Sequence, residues 1–215
     1  MSDTTVLHSL TSSCPTHRPA RAWLLLIVAG CAIGTTAVMA QVAPPLAPTT
    51  PPSPAEAHTV FTEGKYPEPG AKRTTIYYSR PAIKAATGQV RKIWGGLVPW
   101  DKMWRLGANQ ATLLISQSTL QFGNVTIPAA TPVTLYMLPV ENGPSKLIIN
   151  KQVGQAGDQY DEQQDLGRVD LKKDALTQTV DRLILDLDVN DGGGSGTLKI
   201  AWEDTQFSVP FTVKK

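Results

Sequence analysis

Short runs of alternating apolar and polar residues fill the chain from Thr74 onward, and turn residues separate them. Alternation with a period of two places successive side chains on opposite faces of a strand, so each run predicts a β-strand. The pattern predicts about eight strands, over residues 74–80, 111–117, 124–127, 133–138, 146–150, 180–189, 197–202 and 206–213. Many short antiparallel strands predict an all-β domain, here a jelly-roll-like antiparallel β-sandwich.

The same alternation predicts where two polar side chains point. Asn109 is in phase with Leu113 and Ile115, and Arg80 is in phase with Ile76. We therefore expect both polar groups on the core side of their strands. There they need hydrogen-bond partners, because an unpaired buried amide or guanidinium is costly. The glycine-rich stretch 190–196 joins two alternating runs and predicts a hairpin loop.

The first 40 residues have the pattern of an export signal. Arg18 and Arg21 precede an apolar stretch that ends in small residues, which is typical of a signal peptide cleaved after Ala40. Two alternatives remain open: the apolar run could anchor the chain in a membrane, or Cys31, in a lipobox-like context, could carry a lipid. We expect an exported protein, either periplasmic or secreted, or lipid-anchored in the cell envelope. The sequence predicts membrane contact only through this segment or the lipid.

A proline-rich segment follows the signal. Residues 42–54 are mostly proline and small residues, a composition typical of an extended spacer that cannot pack a core. We therefore expect a signal peptide over 1–40, a disordered tether over 41–58 and a single β-sandwich domain over 59–215. A domain of roughly 150 to 160 residues suits one hydrophobic core.

Composition excludes several kinds of chemistry. The formal net charge is only +2, which gives no electrostatic footprint for nucleic acid. Cys14 and Cys31 both precede the expected cleavage point, so the mature domain has no disulfide, zinc-thiolate site or cysteine nucleophile. His58 is the only histidine after residue 17, which excludes a histidine-based triad. We expect no metal and no cofactor.

Charge is segregated along the chain. Lys and Arg predominate over residues 65–151, and Asp and Glu predominate over residues 158–204. The two halves either pair across the sheet or leave a basic face free for binding.

Three motifs stand out: YYSRP at 77–81, RKIWGGLVPW at 91–100 and WRLGANQAT at 104–112. Together they resemble the bacterial family catalogued as domain of unknown function 2911, marked by YSRP, RxIxGxLVPY and WRxGANxAT. The resemblance extends from about Thr74 to Lys215. It implies an exported protein, mostly of Gram-negative bacteria, with a β-sandwich and no established activity. Gln110 stands where the family often has an acidic residue.

The motif region supplies the candidate ligand-binding residues Arg80, Lys84, Arg91, Trp104, Arg105 and Asn109. Arginine and asparagine can hold a carboxylate, a phosphate or a sugar hydroxyl, and tryptophan can supply an aromatic wall. Two interpretations remain open. One is a buried polar network that ties loops to the sandwich, and the other is a ligand pocket at the sandwich mouth.

A second constellation lies near Tyr160 and Asp165, with Asp161 and Glu162 between them. Paired carboxylates can carry out acid–base chemistry on a glycosidic bond. The alternative is a polar loop in which Asp165 pairs with an arginine.

Two functions follow from these sites. The favoured one is a non-catalytic envelope module, structural or binding, whose partner is a small anionic or polyhydroxylated ligand or an envelope protein. The other is a carboxylate-dependent hydrolase that acts on envelope or extracellular glycans.

Overall fold

The computed structural model describes residues 53–215, so the expected signal peptide and tether residues 41–52 lie outside the described part. One 3₁₀ helix, Glu162–Gln164, precedes the eighth of nine strands. These strands are β1 (Ala55–Glu63), β2 (Lys72–Ser79), β3 (Thr112–Ser116), β4 (Thr119–Phe122), β5 (Val125–Ile127), β6 (Val133–Leu138), β7 (Ser145–Asn150), β8 (Asp165–Val189) and β9 (Ser195–Lys214).

All nine strands belong to one antiparallel sheet with the order β1-β2-β3-β6-β7-β8-β9-β4-β5. The all-β prediction is confirmed, but the strands form one continuous open sheet, and the jelly-roll sandwich is not confirmed. The long strand β8 links the two parts of the sheet. Residues 165–171 of β8 pair with β7, and its remainder from Lys172 pairs with β9.

The sheet folds back so that its first strands reach β8. His58 Nε2 of β1 lies 3.0 Å from Asp186 Oδ1 of β8. Just after β2, the Ile83 amide donates to the Asp181 carbonyl at 2.8 Å. The Gly194 amide, in the hairpin turn after β8, donates to the Thr62 carbonyl at 3.0 Å. The predicted hairpin loop is confirmed, and it covers the end of β1.

A phase change in β9 brings two apolar sets into one core. Even-numbered residues are buried before Glu203 and odd-numbered ones after it, and Glu203 itself has a φ of 57°. The pairing with β8 is irregular at the same place. This explains why the sequence pattern predicts two strands where the chain forms one. The buried side chains of β9 are Leu198, Ile200, Trp202, Phe207, Val209 and Phe211.

Strands β6 and β7 are buried on both faces. Leu135 packs in the main core, whereas its neighbour Tyr136 is fully buried on the opposite face. The segment 151–164 covers this outer face, where the rings of Tyr136 and Tyr160 lie 4.9 Å apart in an edge-to-face arrangement. Next to this region, Lys146 of β7 pairs with Asp170 of β8, which joins the basic and acidic halves of the chain across the sheet.

The first strand begins earlier than the composition predicts. Strand β1 starts at Ala55, so residues 55–58, expected in the tether, belong to the sheet and pair with β2. The Arg80 amide also donates to the Pro54 carbonyl at 2.9 Å. Small and polar residues give β1 a weak apolar–polar alternation. Because the strand also follows a proline-rich segment, the sequence pattern does not predict it.

Candidate functional site

The tryptophans of the motif segments, expected to supply walls of a ligand pocket, pack instead in an aromatic cluster. Trp94 is only 4% exposed, and its ring centroid lies 6.1 Å from Trp100, 5.8 Å from Trp104 and 4.9 Å from Phe207. Its indole nitrogen donates to the Trp202 carbonyl at 3.2 Å. Trp104 donates to the Gly107 carbonyl at 3.2 Å. These tryptophans therefore act as core residues.

Arg80 is held by the protein itself. Its Nε donates to the Leu183 carbonyl at 3.0 Å, and its Nη1 contacts Glu56 Oε2 at 2.6 Å. These contacts tie the end of β2 to β1 and to β8. The Arg91 guanidinium likewise donates to the carbonyls of Ile83, at 3.3 Å, and Ala82. Both arginines make the contacts of a polar network that fastens loops to the sheet.

The other predicted site residues do not join that network. Lys84 and Asn109 are exposed. Arg105 is half-buried, and its Nε is shielded from solvent without a hydrogen-bond partner among the described residues. Within residues 53–215 no hydrogen bond connects any two of the six candidates. The Arg/Asn cluster expected at the mouth is therefore not formed as a hydrogen-bonded unit.

The predicted inward orientation of Asn109 is wrong. Strand β3 begins at Thr112 and buries Thr112 and Leu114, so Leu113 faces outward and the phase assumed for Asn109 does not hold. Asn109 itself has a φ of 63°, in the left-handed region that asparagine tolerates better than most residues. Its carbonyl accepts a hydrogen bond from the Gly157 amide at 3.0 Å. The backbone turn, and not a buried amide, accounts for asparagine here.

We therefore expect Asn109→Leu to lower the free energy of unfolding by about 1 to 2 kcal/mol, because leucine resists a left-handed backbone. Asn109→Gly should change it by less than about 0.5 kcal/mol, since glycine adopts this conformation freely. Urea denaturation of both variants measures the difference. Equal losses in the two variants would show that the asparagine side chain itself is needed.

The second constellation is a closed hydrogen-bond network. Asp165 accepts hydrogen bonds from the Tyr160 hydroxyl at 2.7 Å, Arg168 Nε at 3.0 Å and Asn150 Nδ2 at 2.8 Å. The predicted pairing of Asp165 with an arginine is confirmed. Burial, and then the hydrogen bond to Asp165, raise the pKa of Tyr160 to about 12, so its hydroxyl stays protonated and donates.

The neighbouring acidic side chains, Asp161 and Glu162, also bind groups of the protein itself. The Asp161 side chain accepts from the Gln163 amide at 3.0 Å and caps the 3₁₀ helix. Glu162 contacts Arg168 at 2.6 Å. Hydrolysis of a glycosidic bond needs two carboxylates that flank the bond, one of them available as an acid. Each carboxylate of this loop instead makes a local structural contact.

A groove that the sequence interpretation missed lies on the outer face of β1, β2, β3 and β6. Ala57 pairs with Tyr77, Tyr77 with Leu113, and Leu113 with Thr134, so these residues form one row across four strands. Tyr77 is 47% exposed. The volume is about 490 Å³, and the lining is Ala55, Glu56, Ala57, Tyr77, Tyr78, Ser79, Gln110, Ala111, Leu113, Thr134, Gly154 and Gln155.

Two of the three motifs border this groove, through Tyr77 and Gln110. One sequence signal could have revealed it. Tyr77 is an aromatic residue out of phase with the buried residues Ile76 and Tyr78, so it faces outward from the core. The opposite wall, at Gly154 and Gln155, comes from a distant segment that no local pattern connects to β2.

The described residues contain neither a group of metal ligands nor a membrane-spanning helix. Over residues 53–215, no three His, Cys, Asp or Glu side chains are grouped to bind a metal ion. In the same part of the chain, no helix has the length and apolar character needed to cross a membrane.

Comparison with protein families gives a match to the model described as "Protein of unknown function (DUF2911)" over residues 62–211, which is more than half of the chain. The match covers the three motifs and the groove residues from Tyr77 to Gln155, whereas the groove residues of β1, Ala55, Glu56 and Ala57, precede it. No curated protein and no solved structure matches the chain.

Proposed function

The chain belongs to the DUF2911 family of proteins of unknown function, and from this premise we propose that it is a non-catalytic binding module with a small-molecule site over Tyr77. The groove supports this proposal because its volume of about 490 Å³ is within the range of small-molecule sites. Its floor is apolar, at Ala57 and Leu113, and polar groups at Gln110 and Gln155 stand at its walls. A rigid sheet carries the floor, so the site is preformed.

The proposal includes export. Arg18, the apolar stretch and the small residues before Gln41 support passage across a membrane, and the proline-rich segment supports a spacer before β1. The ligand would then be met in the periplasm or outside the cell.

A hydrolase is the less supported function. The acids considered for it, Asp161, Glu162 and Asp165, cap a helix or pair with Arg168. In the groove, Glu56 is the one acidic side chain of the lining, so the site lacks the second carboxylate that hydrolysis of a glycosidic bond requires.

A fragment screen by protein-observed NMR tests the binding proposal. The fragment library contains anionic, cationic and uncharged small molecules. We expect some of them to perturb the amide signals of Ala57, Tyr77 and Leu113, and we expect Tyr77→Ala to abolish these perturbations. The matched control is Tyr66→Ala, which removes an exposed tyrosine outside the groove. Perturbations confined to residues 160–168, or none near Tyr77, would contradict the proposal.

A further inference from the structure

The groove carries almost no net charge. Its lining contains no Lys or Arg, and Glu56 is its only charged residue. The Glu56 carboxylate lies 2.6 Å from the Arg80 guanidinium, which neutralises it. An anionic ligand would find no Lys or Arg in the lining and would be repelled by the Glu56 carboxylate. A cationic ligand would have to compete with Arg80 for that carboxylate. This balance favours an uncharged ligand over the anionic class that the arginine-rich motifs predict.

The groove nevertheless offers hydrogen-bond acceptors beside an aromatic side chain. The Glu56 side chain is 39% exposed, so its carboxylate keeps lone pairs available beside the hydrogen bonds from Arg80 and from the Tyr78 hydroxyl. Tyr77 and Leu113 provide the apolar surface. An aromatic ring carries negative charge on its face, which attracts the polarised C–H groups of a ligand. An apolar floor with acceptors around it suits a ligand that has one C–H face and several hydroxyl groups.

Gln155 adds an unsatisfied group to the wall. Its Nε2 donates to the Tyr136 hydroxyl at 2.8 Å, but its Oε1 is shielded from solvent and has no hydrogen-bond partner in the described part. An unpaired buried acceptor is unfavourable, so a donor that reaches it gains more than an ordinary surface hydrogen bond provides. Gln155 lines the groove and its side chain is half-buried, so its Oε1 reaches a ligand only when the amide turns away from Tyr136.

From these features we infer that the ligand is a short, uncharged saccharide, and this inference rests on the proposed binding function of the groove. The sugar ring packs its C–H face on Tyr77. Its hydroxyl groups donate to Glu56 and to Gln155.

Isothermal titration calorimetry with maltotriose, cellotriose and tri-N-acetylchitotriose tests the inference, and sodium phosphate and sodium citrate serve as anionic probes. We expect at least one saccharide to bind and neither anion to compete with it. Tyr77→Ala should abolish the binding, and Gln155→Leu should weaken it about tenfold, the effect of losing one hydrogen bond. Tyr66→Ala should leave it unchanged. Tyr77→Thr, which keeps a residue suited to a strand, repeats the test if Tyr77→Ala unfolds.

The outcomes separate the inference from the function on which it rests. If fragments bind at Tyr77 but all three saccharides fail at millimolar concentration, the saccharide assignment is wrong and the binding module stands. If a saccharide binds equally well to Tyr77→Ala and to Tyr77→Thr, its site lies elsewhere and the inference is overturned. Competition by citrate or phosphate would overturn the uncharged character of the ligand. If neither fragments nor saccharides bind in the groove, both proposals are wrong.

Discussion

Replacing Trp94 with alanine is expected to lower the free energy of unfolding by about 3 to 5 kcal/mol, the range for a large aromatic side chain removed from a core. Trp94 is packed on several sides, by Trp100, Trp104 and Phe207. The substitution leaves a cavity among rigid rings that cannot collapse to fill it. It also leaves the Trp202 carbonyl without the donor it has in the native protein.

Guanidinium denaturation followed by circular dichroism measures this loss. The matched control is Trp100→Ala, because Trp100 is a tryptophan of the same cluster that is only partly buried. Trp100→Ala should lower the free energy of unfolding clearly less than Trp94→Ala does. This is expected although Trp100→Ala also removes the contact with the Lys173 ammonium, 4.8 Å from the ring. Equal losses of unfolding free energy in the two variants would mean that Trp94 contributes no more to the core than the partly buried Trp100 does.

Replacing Arg80 with methionine is expected to lower the free energy of unfolding by about 1 to 3 kcal/mol. Methionine keeps the apolar part of the side chain but removes the donors to Leu183 and Glu56. The Leu183 carbonyl then loses this donor, and the partly buried Glu56 carboxylate keeps the more distant Tyr78 hydroxyl, at 3.4 Å. The matched control is Arg73→Met in β2, where the arginine is exposed and a change within about 0.5 kcal/mol is expected.

A double-mutant cycle divides the effect of Arg80 between its two partners. Glu56→Gln removes the charge of the acceptor and leaves the bond to Leu183 in place. The Arg80–Glu56 pair is partly exposed, with side-chain exposures of 27% and 39%, so we expect a coupling of less than about 1 kcal/mol. Most of the unfolding free energy lost in Arg80→Met then comes from the hydrogen bond to the Leu183 carbonyl of β8. A coupling as large as the whole loss would assign the effect to the ion pair.

The sequence predicts strands well where one face is continuously apolar. Strand β6 has the predicted bounds, Val133–Leu138, because both of its faces are buried and rich in apolar residues. The first part of β8 was missed, since charged residues such as Lys172, Lys173 and Asp174 interrupt its alternation. Strand β1 was missed for the related reason that its side chains from Ala55 to Thr59 are small or polar.

The candidate site was harder to predict, because apolar side chains on the outer face of a strand can be mistaken for its core face. Leu113 and Ile115 of β3 face outward, so they did not mark the core side for Asn109, which is exposed. Arg80 directly follows β2 in phase with Ile76, and its hydrogen bond to the buried residue Leu183 agrees with the predicted direction. The groove combines β1, β2, Leu113 and Gln155, and only the tertiary fold brings these together.

The contacts of β1 also determine when the domain can complete its folding. Its neighbours across the fold, Asp186 and Gly194, lie more than a hundred residues later in the chain. A chain that leaves a ribosome or a secretion pore with its N-terminus first presents β1 long before those partners emerge. Closing so large a loop costs entropy before any contact compensates for it, which makes such folding slow. The contacts that β1 makes with β8 and with the turn after it therefore form only after the last hairpin has emerged.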